Sequence, residues 1–155
     1  EKHGIKVILG MEIRFPQSAN DYLVYGFSED DIDLMFDLSF TDCATFYNEF
    51  KNDKNVILQA HPFRDGMVRY DPKYLDGIES FNMHLGHNSR IADALIYAKK
   101  HPHFITTCGT DFHHETHQGL GGILTKTIPT NSYELADILK SRDYLFNVVG
   151  SIVIP

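Results

Sequence analysis

"LDGIESFNMHLGHNSRIADALIYAKKHPHFITTCG", residues 75–109, decides the fold. Residues 75–82 form a short β-prone run. Residues 88–101 then place Ile91, Ala94, Leu95 and Ala98 on one face at helical spacing, with Lys99 and Lys100 in the last turn, where a cation favours the helix dipole. Residues 103–109 are β-prone again. Strand, helix and strand in that order predict parallel pairing through a right-handed crossover.

The rest of the chain extends the pattern. "IKVILGMEI" (5–13), "DYLVYGF" (21–27), "NVILQAH" (55–61) and "YLFNVVG" (144–150) read as further strands, short and rich in β-branched or aromatic residues. Helices are predicted over 28–38, where Ser28 caps an acidic first turn, over 41–53 behind Thr41, and over 132–142 behind a serine cap. Such a chain builds either an open doubly wound sheet or a (β/α) barrel. In both, function gathers at the carboxyl ends of the strands.

Composition narrows the function. The 155 residues suit one domain with a real core, and 43% hydrophobic content is ordinary for a globular protein. No apolar run approaches the roughly 18–20 residues of a membrane-spanning helix, and no secretory leader is visible, so a cytoplasmic protein is expected. Cys43 and Cys108 lie far apart, and two buried reduced thiols are expected rather than a disulfide. A formal charge of −7 argues against a broad nucleic-acid surface, but not against an anionic substrate beside bound cations. The nine histidines are the anomaly, and they matter only if they converge.

Several fall at predicted strand ends. Glu12 closes the first strand, His61 the third, Glu79 and Asn82 the fourth, and Asp111 and His113 follow the fifth. On a shared rim these groups suit divalent cations, because imidazole serves Zn, Fe and Mn, and carboxylates serve Mn and bridge ions. Gly109 permits a tight turn, and in extended chain Asp111 and His113 point to one side. Each residue also has a plainer reading. Asp-x-His alone is a weak signal, Glu79 could be a solvated acid or a partner to a ligand, and His84 and His87 read as solvated capping residues. His101 and His103 read as surface, and His114 and His117 as rim candidates. Glu12 is harder to dismiss, since an unpaired buried carboxylate is costly.

Taken in order, "GMEI", "AHPFR", "GIESFN", "HNSRIADALIYAKKH" and "TTCGTDFHH" resemble the PHP family (polymerase and histidinol phosphatase), a group of metal-dependent phosphoesterases. The likeness runs from about Gly4 to about Gly122. It implies an α/β fold, a distorted (β/α)7 barrel, with up to three divalent ions, Zn, Mn, Fe or Mg, at its C-terminal face. It implies metal ligands at Glu12, His61, Asp111 and His113 and a phosphate-binding role for Arg64; a histidine near the rim, His113 or His117, is expected to protonate the leaving group. The family's opening Asp-led His-x-His motif has no match here, and no histidine stands at "DYLVYGF", where Asp21 could substitute as an oxygen ligand. The expectation is therefore a single PHP-like domain over 1–155 that corresponds to the C-terminal two-thirds of a partial barrel missing its first strands. Expected partners are a small phosphorylated substrate or nucleotide, and a second copy of the chain through an exposed strand edge. Two competing readings are a non-catalytic accessory module and an amidohydrolase-like metal hydrolase.

Overall fold

The structure is a computed structural model that describes residues 4–155. Five strands form one sheet in chain order: β1 (Met11–Arg14), β2 (Asp21–Tyr25), β3 (Val56–Gln59), β4 (Gly77–Asn82) and β5 (Ile105–Gly109). A second sheet of three antiparallel strands contains β6 (Gly121–Thr125), β7 (Tyr144–Val148) and β8 (Ser151–Val153). Among the described residues four α-helices complete the fold, α1 (Ile32–Ser39), α2 (Cys43–Phe50), α3 (Ile91–Lys100) and α4 (Ser132–Ser141), beside three short 3-10 turns. Among the described residues no helix is long and apolar enough to cross a membrane.

This architecture corrects the expected (β/α)7 barrel. Two separate sheets are present, one mixed and one antiparallel, and neither closes on itself. Only β3, β4 and β5 run parallel; β1 pairs with β2, and β2 with β3, antiparallel. The reason lies in the connections. Residues 15–20 are too few for a parallel crossover, which needs a dozen or more. The long connection from β2 to β3 folds as two helices, α1 and α2, which run out and back and return the chain to the end it left. The β4–α3–β5 unit has one helix and does cross over in parallel, as the 75–109 stretch predicts. Strands β6 and β8 escape the sequence reading. The first is glycine-led and half-exposed, and the second has three residues.

Both faces of the five-stranded sheet are covered, so alternate residues enter different cores. Ile13, Tyr22, Val24, Ile57 and Ile78 face α1, α2 and α3, packing with Met35, Phe46, Phe50 and Ala94. Val56, Leu58, Phe81, Ile105 and Cys108 face α4 and the second sheet, packing with Ala136, Leu139, Tyr144 and Phe146. Both cysteines are buried and free. Burial pushes the Cys43 thiol up to about 12, so it behaves as a small apolar side chain.

Helix α2 illustrates how local sequence sets an element. Asp42, in extended backbone, accepts the Thr45 amide at 2.9 Å and the Thr45 hydroxyl at 3.0 Å. These bonds favour the charged form and hold its carboxyl below the usual carboxylate range. Because the folded-state value is the lower one, the stabilisation is present above the unfolded value of about 3.9 and is lost as pH falls through the folded one. Asp42→Ala is expected to cost about 1 kcal/mol near neutral pH. That difference should shrink below about pH 3.9 in urea titrations, and a pH-independent difference would refute the charge-dependent part.

Candidate functional site

Strand direction builds the site. Because β2 runs against its neighbours, its amino end lies at the same rim as the carboxyl ends of β3, β4 and β5. Asp21 therefore reaches the rim although it begins its strand. In register, Asp21 stands opposite Arg14, and the two form a bidentate pair with both N···O distances at 2.7 Å.

His61, just beyond β3, is the centre. Its side chain is 2% exposed, and its Nε2 lies 3.6 Å from Glu12, 3.6 Å from Asp21 and 4.0 Å from Asp111. None of these is a hydrogen bond. Three buried side-chain polar atoms lack a partner among the described residues; two are the ring nitrogens of His61 and the third is the Thr107 hydroxyl. An orphaned buried polar group costs about 1–3 kcal/mol, so an imidazole with both nitrogens unpaired requires an explanation.

The separations offer one. Two ligands 2.0–2.2 Å from a single ion at a tetrahedral angle stand about 3.4 Å apart. The two 3.6 Å distances, from His61 to Glu12 and to Asp21, are too long for direct bonds and close to that spacing, while Asp111 at 4.0 Å lies farther out. Donor atoms of Glu12, Asp21 and His61 all lie within 4.8 Å of one another. The donor set of one imidazole and several carboxylates fits Mn, Fe, Zn or Mg.

The backbone is also held in an uncommon state here. His61 has φ +27° and Asp111 has φ +49°, a region that non-glycine residues rarely adopt. Such strain costs on the order of 1–3 kcal/mol and is concentrated at functional positions. Arg64 lies 3.4 Å from Asp21 and 3.3 Å from Asp111, bridging the two carboxylates. His113 is exposed, with its Nε2 2.8 Å from the other Asp111 oxygen. His117 is buried, and its Nδ1 accepts the His113 amide at 3.2 Å.

Beneath the rim, Glu79 accepts the His61 amide at 3.1 Å and the Asn82 amide group at 3.0 Å. Burial raises its carboxyl above the usual range, against the opposing pull of the Asn82 and His61 hydrogen bonds. A register shift between Glu79 and Phe81 re-aims this segment. Gly109 makes room for it, since a Cβ there would lie 2.4 Å from a Glu79 oxygen. Tyr25 lines the same cleft, and burial, with Glu79 and Glu12 nearby, pushes its hydroxyl up to about 12, so it stays neutral. The cleft itself is small, about 190 Å³. A larger groove of about 440 Å³ between α3 and β7 is mainly apolar, lined by Leu95, Ala98, Phe104 and Tyr144 among others. Chemistry, not size, singles out the His61 cleft.

Of the residues picked out in the sequence, Glu12, His61 and Asp111 line this cleft, and Arg64 pairs with Asp111 beside it. His113 touches it through Asp111, and His117 sits one layer away, behind the His113 amide. Asp21 joins them. Arg14, Tyr25 and the supporting role of Glu79 are additions from the structure. The Arg14–Asp21 pair was legible as opposite charges across a tight antiparallel connection, had β1 and β2 been paired that way. No family model matches the chain, and no curated protein matches it.

Proposed function

We propose that the chain is a metal-dependent phosphoesterase of PHP type, acting at the rim where His61 meets Glu12, Asp21 and Asp111. The observation that carries the reading is the unpaired, buried His61 ring, ringed by three carboxylates at 3.6–4.0 Å. The sequence motifs supply the reaction class, and the proposal concerns the site rather than a closed barrel. When bound, a divalent ion would lower the pKa of water and polarise a phosphoryl oxygen.

The chain's own residues do the remainder. Glu12, Asp21, His61 and Asp111 would hold the ion. Arg64, set against Asp21 and Asp111, is the planar donor suited to a phosphate. Its present partners are two of the carboxylates, so neutralising them frees its donors for an anion. His113 is exposed and close enough to the rim to hand a proton to a leaving oxygen. Tyr25 is a neutral phenol in the cleft wall.

One observation favours a second reading. A guanidinium spanning Asp21 and Asp111 is also how a cation-free ion-pair network is satisfied, as in a non-catalytic module. A single experiment separates the two. The full chain is loaded with Mn or Zn, assayed with a generic phosphate monoester, and stripped with a chelator. Stoichiometric ion uptake and chelator-sensitive hydrolysis are expected. Failure to take up either ion would refute the site, while uptake without turnover would favour the accessory reading.

A further inference from the structure

Beyond Asp111, the rim carries a second group of ring nitrogens that the His61 cleft does not use. His84 and His87 lie in the loop after β4, with rings stacked at 4.2 Å between centroids. His84 also meets the rings of His117 at 4.5 Å and His113 at 5.8 Å. Donor atoms of His84, His87 and Asp111 all fall within 4.8 Å of one another. The composition differs from that of the His61 cleft, where among the described residues carboxylates outnumber imidazoles.

We infer that His84, His87 and Asp111 form a second cation site, selective for first-row ions that favour imidazole, Zn, Ni or Co, over Mg or Ca. The inference goes beyond the hydrolase reading and does not require the His61 cleft to be catalytic. Asp111 is the shared wall. One of its oxygens faces His61 and Arg64, and the other contacts His113, so the two oxygens can serve two ions. His113 stands next in line as a further nitrogen donor. The left-handed backbone at Asp111 holds its carboxylate between the two groups.

One present contact must yield. The Gly86 amide donates to His84 Nδ1 at 2.9 Å, which leaves the ring proton on Nε2. Ligation through Nε2 moves that proton to Nδ1 and gives up the contact. Gly86 is exposed, so water replaces the lost partner at little cost.

The test is Co(II) and Zn(II) titration of the full chain, read by calorimetry and by the visible absorption of bound Co(II). Wild type, His84→Ala, His87→Ala and His61→Ala are compared. His87 is exposed, and its replacement leaves the core untouched. The expected result is a bound ion with nitrogen-rich coordination that His61→Ala retains. His84→Ala and His87→Ala should each weaken it by at least about tenfold. His87→Cys, which supplies a thiolate in place of the imidazole, should restore binding with a shifted absorption. Equal binding in wild type and both loop variants would overturn the inference, as would no binding in wild type. The two sites fail separately. If only the His61 cleft is real, binding survives the loop variants and vanishes in His61→Ala; if only the loop site is real, the reverse holds.

Discussion

Gly77→Ala should remove a large share of the protein's stability. A Cβ at this position would lie 1.9 Å from the Ile105 carbonyl oxygen and 2.6 Å from its amide nitrogen. Both are backbone atoms of β5, its register partner, and cannot swing aside as a side-chain tip would. Relief requires prising β4 from β5 within the parallel part of the sheet. A cost of more than about 4 kcal/mol is expected, against total stabilities of about 5–15 kcal/mol for domains of this kind. Gly122→Ala is the control, because nothing lies within 4 Å of a Cβ there and its φ is not positive. Urea unfolding, or the soluble yield where unfolding is complete, reads the contrast. A Gly77→Ala protein with the wild-type midpoint would show that the β4–β5 register is wrong.

His61→Ala is expected to have the largest effect on activity. It removes the imidazole that stands among Glu12, Asp21 and Asp111. Hydrolysis of a phosphate monoester should fall by about a thousandfold or more, equivalent to about 4 kcal/mol of transition-state stabilisation. The fold should survive, because the lost ring makes no hydrogen bond through either nitrogen. His61→Asn retains more of the volume and guards against a cavity effect. Circular dichroism, ion uptake and turnover are measured together. Loss of turnover with unaltered ion uptake would detach His61 from ion binding, and full turnover would remove it from the site.

The parts of the molecule that the sequence revealed are those where local pattern and tertiary role agree. The β4–α3–β5 unit is the clearest case: one amphipathic helix, two β-prone runs and a crossover that follows from their lengths. The convergence of His61 and Asp111 followed from the same logic, since both lie beyond the ends of parallel strands. Strand direction was the hidden variable elsewhere. Helices between strands suggest parallel pairing, but two short helices in succession, as in α1 and α2, bring the chain back and reverse the sense. That reversal is why Asp21, at the start of a strand, stands beside His61. His84 and His87 read as solvated because loop histidines usually are, and nothing local shows that β5 carries Asp111 alongside them. Glu79 was ambiguous for a related reason. Its burial depends on Gly109, thirty positions on, having no side chain.

The antiparallel pairing of β1 with β2 has a mechanical consequence. Glu12 and Arg14 ride on β1, whereas Asp21 begins β2, which is zipped along its length to β3, the strand that leads into His61. Among the described residues β1 has a strand partner on one side only, so Glu12 sits on the free margin of the sheet while Asp21 is held from both sides. A load on that margin would therefore shift Glu12 against Asp21 and His61 before it moved those two relative to each other.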